Sequence, residues 1–266
     1  SENAVYAILQ DAEGFMWFGT KDGLNRFDGS NFRYYQNKVG EKESIGNNFI
    51  RSLAQKNKEF LYIGTDAGLY LMNIRNESFQ KLTVKTTENL LITEAINSLM
   101  VDSKGVLWIG TMSQGIFKYY PKDNILQKVE IEDVDLGMNA TWSIIEDKSG
   151  IVWVGTRLGL LRFNSQTNKF EIVKNLFSKT ENSDNEVLSI LEDNIGNLWL
   201  GTWSDGLRCY NKQSGEFTSY LNQQSENQYV THIRSVFQYG ERFLLIGSDD
   251  GLYLFNTESK NAKRVD

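Results

Sequence analysis

In the stretch EDKSGIVWVGTRLG, residues 146–159, two carboxylates, three glycines, a serine and a threonine fall within fourteen positions. These residue types can act as general acid and base, or cradle a phosphate on backbone N–H groups. Glycoside hydrolysis would ask for two carboxylates about 5–10 Å apart across the scissile bond. The rest of the chain adds little to such a centre: it has one histidine, His232, and one cysteine, Cys209. One imidazole and one thiol assemble neither a nucleophile–His–acid triad nor a histidine metal cluster, so no catalytic residue, metal or cofactor is expected. Cys209 in GLRCYN reads as a small buried apolar residue, and alone it closes no intrachain disulfide.

Recurrence decides what the stretch is. Its Gly-Thr pair occurs at Gly19, Gly64, Gly110, Gly155 and Gly201, and as Gly-Ser at Gly247, always 45 or 46 residues apart. Such a period is the mark of a repeat architecture. An Asp-x-x-Gly turn precedes the pair in four units, at Asp11/Gly14, Asp102/Gly105, Asp147/Gly150 and Asp193/Gly196. The aspartate can cap the turn's N–H groups, and glycine supplies the positive φ that enters the next strand. QKNKEFLYIG in the second unit lacks both residues, and FQYGERFLLIG in the sixth has Tyr239 in the aspartate column. A turn residue is replaceable wherever another turn closes the hairpin, so these aspartates are expected to be structural.

Each unit reads as four short strands, A to D, with strand A before the turn and strand B ending at Gly-Thr. Strand C opens at Gly-Leu or Gly-Ile, and a weaker strand D follows, as in NFRYYQ, KFEIVK and EFTSYL. A lone four-stranded sheet cannot bury both faces, whereas sheets arranged about an axis pack on one another. The expected fold is therefore all-β, a β-propeller of six visible four-stranded repeats. It is drawn as one domain over 1–266 with repeats near 1–45, 46–92, 93–137, 138–183, 184–229 and 230–266. Two large-residue columns would fill the space between blades. One is Trp17, Tyr62, Trp108, Trp153, Trp199 and Leu245 on strand B; the other is Phe27, Met72, Tyr119, Phe163, Tyr210 and Phe255 on strand C.

The charge balance, 28 Lys+Arg against 34 Asp+Glu, offers no basic stripe, so no direct nucleic-acid contact is expected. No apolar run approaches the roughly 20 residues of a membrane span, so contact with a membrane would come only through segments outside this sequence. No signal peptide is recognisable at Ser1, which fits a cytosolic protein or the trimmed part of an exported one.

Alternating strand direction puts the loops entering strand A and the B–C loops on one face, and the A–B hairpins on the other. Strand A would lie nearest the axis. Within it one column is apolar, and the column two residues later is small throughout: Ala7, Ser52, Ser98, Ser143, Ser189 and Ser235. The column between them, Tyr6, Arg51, Asn97, Trp142, Leu188 and Arg234, shares no chemistry, as residues lining a binding mouth need not. On the same face the B–C loops add Arg157, Trp203 and Asp205. The candidate ligand site is accordingly Tyr6, Arg51, Asn97, Trp142, Arg157, Trp203, Asp205 and Arg234. Tryptophan beside arginine and acids suits a sugar, with its apolar C–H face and hydroxyl edge. His232, just before the last strand A, is expected to be a solvated loop residue.

With D-x-x-G-x-x-W-x-G-T-x-x-G-L repeated in register over the whole chain, the sequence resembles the two-component regulator propeller repeat family. VYAILQDAEGFMWFGTKDGLNRFDGSNF is especially similar to a first blade in the sensor region of a hybrid two-component system. The resemblance implies a periplasmic sensor region of an inner-membrane protein, joined to an immunoglobulin-like domain, a membrane helix and a histidine kinase. It further implies a homodimer mate and oligosaccharide ligands released from glycans. Propellers of the family usually have seven blades, so six repeats would be either a closed six-bladed ring or six blades of a seven-bladed one. Two other classes stay open on the residues alone: a protein-interaction or dimerisation scaffold, and a propeller glycosidase or lyase.

Overall fold

The computed structural model describes residues 4–83, 85–86, 92–132, 140–173, 186–222 and 230–265. The expected repeat limits after 137, 183 and 229 lie outside the described residues. The chain is all-β, with six four-stranded antiparallel blades of a β-propeller, each in the order A–B–C–D. It forms two compact units, Ser1–Glu130 with Asp135–Thr141, and Ile131–Val134 with Trp142–Asp266. Blades 1 to 3 lie in the first unit, and blades 4 to 6, apart from Thr141, in the second.

Strand A spans Val5–Gln10, Ile50–Asn57, Ile96–Val101, Thr141–Glu146, Val187–Glu192 and Ile233–Tyr239 in blades 1 to 6. Strand B, ending at Gly-Thr or Gly-Ser, follows at Met16–Thr20, Phe60–Thr65, Leu107–Thr111, Val152–Thr156, Leu198–Thr202 and Phe243–Ser248. One addition was not legible in the repeat. Lys85–Thr86 pairs parallel with strand D of blade 3, Ile125–Val129, making that sheet five-stranded.

The turn aspartates hold more than the turn. Asp11 Oδ1 accepts the N–H groups of Glu13 and Phe15 at 3.0 Å, while Oδ2 accepts Trp17 Nε1 at 2.7 Å. The same carboxylate–indole bond recurs between Asp102 and Trp108 (2.8 Å), Asp147 and Trp153 (2.8 Å), and Asp193 and Trp199 (2.9 Å). The blades without the aspartate also lack the tryptophan, having Tyr62 and Leu245 instead. In blade 2, Asn57 Oδ1 takes over the turn, accepting Glu59 N at 2.9 Å and Phe60 N at 3.0 Å. It cannot also reach the strand-B ring, and the buried Tyr62 hydroxyl makes no hydrogen bond.

Within each unit neighbouring blades join by one rule. The tryptophan of one blade meets the strand-C residue of the next, as in Trp153–Tyr210 (ring centroids 5.9 Å) and Trp199–Phe255 (5.6 Å). Trp17 and Leu24 of blade 1 likewise share a core with Ile50, Ile63 and Met72 of blade 2. The Gly of Gly-Thr makes this approach possible. A Cβ on Gly201 would stand 2.4 Å from Ile233 O, and one on Gly64 would stand 2.9 Å from Ile96 O. The small strand-A column has the same cause: Ser52 pairs with Gly64 in register, and its Oγ donates to Ile96 O of the next blade at 2.8 Å.

Candidate functional site

Five of the six residues in the strand-A column that shares no chemistry sit at β-bulges. Between Val5 and Ala7 the register shifts against strand B, leaving Tyr6 as the inserted residue. The same shift inserts Arg51, Asn97, Leu188 and Arg234. A bulged residue leaves the ladder and re-aims its side chain, so sheet packing no longer constrains its type. That is the physical reason these positions differ from blade to blade. Leu188, in the same column, is buried and brings no polar group.

In the second unit the column joins a continuous set of contacts across blades 4, 5 and 6. Trp142 Nε1 donates to Glu186 Oε1 at 2.7 Å, and Trp203 N donates to Glu186 O at 3.1 Å. His232 N in turn donates to Trp203 O at 2.9 Å, and the two rings lie 4.1 Å apart. The Arg234 guanidinium sits 5.3 Å from the Trp203 ring and grips Asp249 with both Nε and an Nη, the latter at 3.0 Å. These hydrogen bonds hold the Asp249 carboxyl below its ordinary pKa, with the adjacent His232 adding to the effect. His232 Nδ1 stands 3.0 Å from Asp249 Oδ2, in backbone with φ of +49°. It lies in a loop, as expected from the sequence, and is one-third exposed, with the Trp203 ring and Asp249 holding it on two sides.

Two other expected residues behave differently. Asp205 is committed to Arg208, and its N–H donates to Thr202 Oγ1 at 2.9 Å. Arg208 is buried, which pushes its pKa down to about 10, and the Asp205 carboxylate is its counter-charge. Asp205 is thus paired with an arginine, as Asp66 is with Arg51 and Asp249 with Arg234. Arg157 is exposed and makes none of these contacts.

In the first unit the other three residues gather around Phe49. The Tyr6 ring meets Phe49 edge-on at 4.7 Å, and the Arg51 guanidinium lies 4.3 Å from the Phe49 centroid. Arg51 pairs with Asp66 and reaches Asn97 Oδ1 at 3.4 Å. Phe49 and Glu186, like His232, stand immediately before strand A. The repeat column there reads Ala4, Phe49, Ala95, Ala140, Glu186 and His232, three alanines interrupted by three functional side chains. That interruption was the available signal.

Both clusters pair half-buried aromatic rings with arginine donors and carboxylates on the face of the B–C loops. Such groups can stack a ring and hydrogen-bond its edge. The acids are engaged already: Glu186 binds Trp142, Asp66 binds Arg51 and Asp249 binds Arg234. In these two clusters each of the three carboxylates already has an arginine or indole partner.

Comparison with known proteins agrees with the repeat. The two component regulator propeller family profile matches residues 1–22, 90–113, 135–157 and 182–204. Each match ends at or just beyond the Gly-Thr of a blade that has the Asp–Trp pair. The four matched segments, in blades 1, 3, 4 and 5, are similar to two-component regulator propeller repeats. Histidine kinase P4 of Formosa agariphila is 30% identical over 178 residues, 64% of this chain and 13% of the relative. The extracellular domain of the putative hybrid two component system BT4673 from B. thetaiotaomicron superposes with a TM-score of 0.81 at 27% identity, over 98% of this chain and 33% of that one. Virginiamycin B lyase from Staphylococcus aureus shares the fold alone, with a TM-score of 0.72 at 10% identity over 100% of this chain and 85% of its own. The chain thus spans 13% of the curated relative and about a third of the similar sensor domain.

Proposed function

We propose that this chain is the ligand-sensing propeller of a transmembrane two-component regulator. It works outside the cytoplasm, in the periplasm of a two-membrane cell, and detects oligosaccharides from glycan breakdown. It passes the signal through further segments and a homodimer mate to a histidine kinase, and so to transcription. The observation that carries this reading is the linked set Trp142–Glu186–Trp203–His232–Arg234–Asp249 on bulged strands and B–C loops. A catalytic reading of these two clusters is disfavoured because their acids, Glu186, Asp66 and Asp249, are already bonded to indole or arginine. The relationship to a histidine kinase and to an extracellular sensor domain supports the wider context.

Isothermal titration of the chain with a panel of neutral and uronic-acid oligosaccharides tests it. Trp142→Ala and Arg234→Ala should each weaken binding about fivefold or more, as truncation of an aromatic or arginine anchor does, with the circular dichroism spectrum unchanged. Unaltered affinity in both variants would remove the site from this face. Product formation from the bound sugar would turn the reading toward a lyase or glycosidase. No binding across the panel would favour the scaffold.

A further inference from the structure

A cleft of about 410 Å³ opens between blades 5 and 6 within the second unit, on the side of the A–B hairpins. It lies away from the B–C loops and does not depend on the sugar reading. Its depth follows from the sequence. Trp199, Cys209 and Thr218 pair across strands B, C and D of blade 5. In the other blades with the Asp–Trp pair, the residue beside the tryptophan in that row is Arg26, Lys118 or Arg162. Two of these set their charge over the indole, Arg26 at 5.7 Å from Trp17 and Lys118 at 4.7 Å from Trp108. The Cys209 thiol ends several atoms short of such a side chain, so the row stays open beside Trp199 and Tyr220.

The joint between blades 4 and 5 shows what this place can receive. There Lys212 Nζ lies 2.8 Å from Asp147 Oδ2 and 2.6 Å from Glu192 Oε1. The repeat counterparts of both acceptors, Asp193 and Gln238, line the cleft. The counterpart of the lysine is Thr257, whose hydroxyl donates to Arg242 O at 3.0 Å. Gln238 Nε2 donates to Gly240 O at 2.8 Å and Phe243 O at 3.2 Å, which fixes the amide orientation. Gln238 Oε1 is then a buried acceptor with no donor among the described residues, and such a group calls for a partner. Lys260, exposed on the next turn, rests its ammonium 5.7 Å from the Trp199 ring and 5.2 Å from Tyr220 while donating to Thr257 O. The rings thus already attract a cation, as aromatic faces do. Among the charged lining residues Asp193, Glu241 and Glu258 outnumber Arg242 and Lys260. At the hairpin, Ile195 is 82% exposed where the other capped turns hold Glu13, Lys104 and Ser149. We infer that this cleft binds a small organic cation, an ammonium or guanidinium on an alkyl stem. Its charged end lies between Asp193 Oδ2 and Gln238 Oε1, as Lys212 Nζ lies between Asp147 and Glu192, and its stem packs on Ile195.

The test uses the 266-residue chain and its single thiol, Cys209, which lines the cleft. Saturating n-butylammonium should slow alkylation of Cys209 by iodoacetamide about threefold or more, because the reagent needs access to the thiol. Butanol and butyrate at the same concentration should not slow it. Lys260→Asn removes the cation already resting on the rings, and asparagine tolerates the φ of +62° there. In that variant the amine should protect at about a threefold lower concentration, since no internal competitor remains. Thr257→Lys gives the cleft the lysine of the preceding joint. It should raise the melting temperature by about 2 °C or more and abolish protection by the amine. Equal protection by butyrate, or loss of the amine's effect in Lys260→Asn, would overturn the proposal, because Lys260 would then be the anchor of a different ligand. Protection that persists in Thr257→Lys would place the amine elsewhere and overturn it as well. So would the absence of protection in both the unaltered chain and Lys260→Asn.

Discussion

Removing the Asp11 carboxylate should cost far more than a turn residue normally does, because it serves a buried indole as well as the turn. In Asp11→Ala, Glu13 and Phe15 lose the acceptor for their N–H groups, and Trp17 loses the acceptor for Nε1. Trp17 is 0% exposed, so water cannot replace that acceptor. A buried donor left unmade costs about 1–3 kcal/mol, and the lost turn hydrogen bonds about 1 kcal/mol more. The sum, about 2–4 kcal/mol, corresponds to a fall of roughly 5–10 °C in melting temperature for a chain of this size. Trp17→Phe isolates the indole term, because phenylalanine keeps an aromatic ring between the blades and has no N–H to satisfy. In the Asp11→Ala background this second change removes the orphaned donor, so the two losses should fall short of additive by about 1–2 kcal/mol. Urea denaturation of the four proteins, followed by circular dichroism, measures the coupling. Losses that add to within about 0.3 kcal/mol would refute the idea that aspartate and tryptophan act as one device. Blades 2 and 6 have already made the double change, to Tyr62 and Leu245, and both fold as four-stranded sheets.

Gly201→Ala should destabilise by about 1–3 kcal/mol, since the new methyl would stand 2.4 Å from the backbone oxygen of Ile233, whereas Gly247→Ala should cost less, because its methyl would meet the Ser235 side chain, which can rotate away, and no backbone within 4 Å; equal losses in thermal unfolding would contradict the blade-approach reason for the glycine. Lys212 ties blades 4 and 5 together, with Nζ 2.8 Å from Asp147 Oδ2 and 2.6 Å from Glu192 Oε1. Burial pushes the Asp147 carboxyl up, but the hydrogen bonds from Lys212, Ile151 and Trp153 outweigh it and the net pKa is lowered. A lowered carboxyl pKa contributes stability above the unfolded pKa of about 4 that is lost as pH falls through the folded value. Lys212→Met should therefore cost most at pH 7 and progressively less below about pH 4, and a loss independent of pH in denaturation curves would sink this assignment.

The repeat, the strand order and the four capped turns were legible in the sequence because they are local. A hairpin needs its aspartate and glycine at fixed offsets, and six copies in register expose those offsets. The Trp17 column was recognisable as packing for the same reason. Its bond to the aspartate was not, since residues 11 and 17 meet only once strands A and B pair. The bulge escaped likewise: spacing aligns residues along one strand, whereas a bulge is a mismatch between two. Tyr6, Arg51, Asn97 and Arg234 were thus picked out by their variety, with the cause of that variety hidden.

Asp205 shows the limit most plainly. From the sequence it is an acid in a B–C loop beside Trp203, and only packing reveals that Arg208, in a column that otherwise holds Asn25, Tyr70, Phe117, Leu161 and Tyr253, is buried and takes Asp205 as its counter-charge. The sequence by itself determined which residues turn the chain and which must be apolar, because backbone geometry and the hydrophobic effect act residue by residue. Only the tertiary structure decided which charges are spent on one another and which aromatic rings gather around Phe49 and Trp203. Those outcomes depend on distances between blades, and no single repeat encodes them.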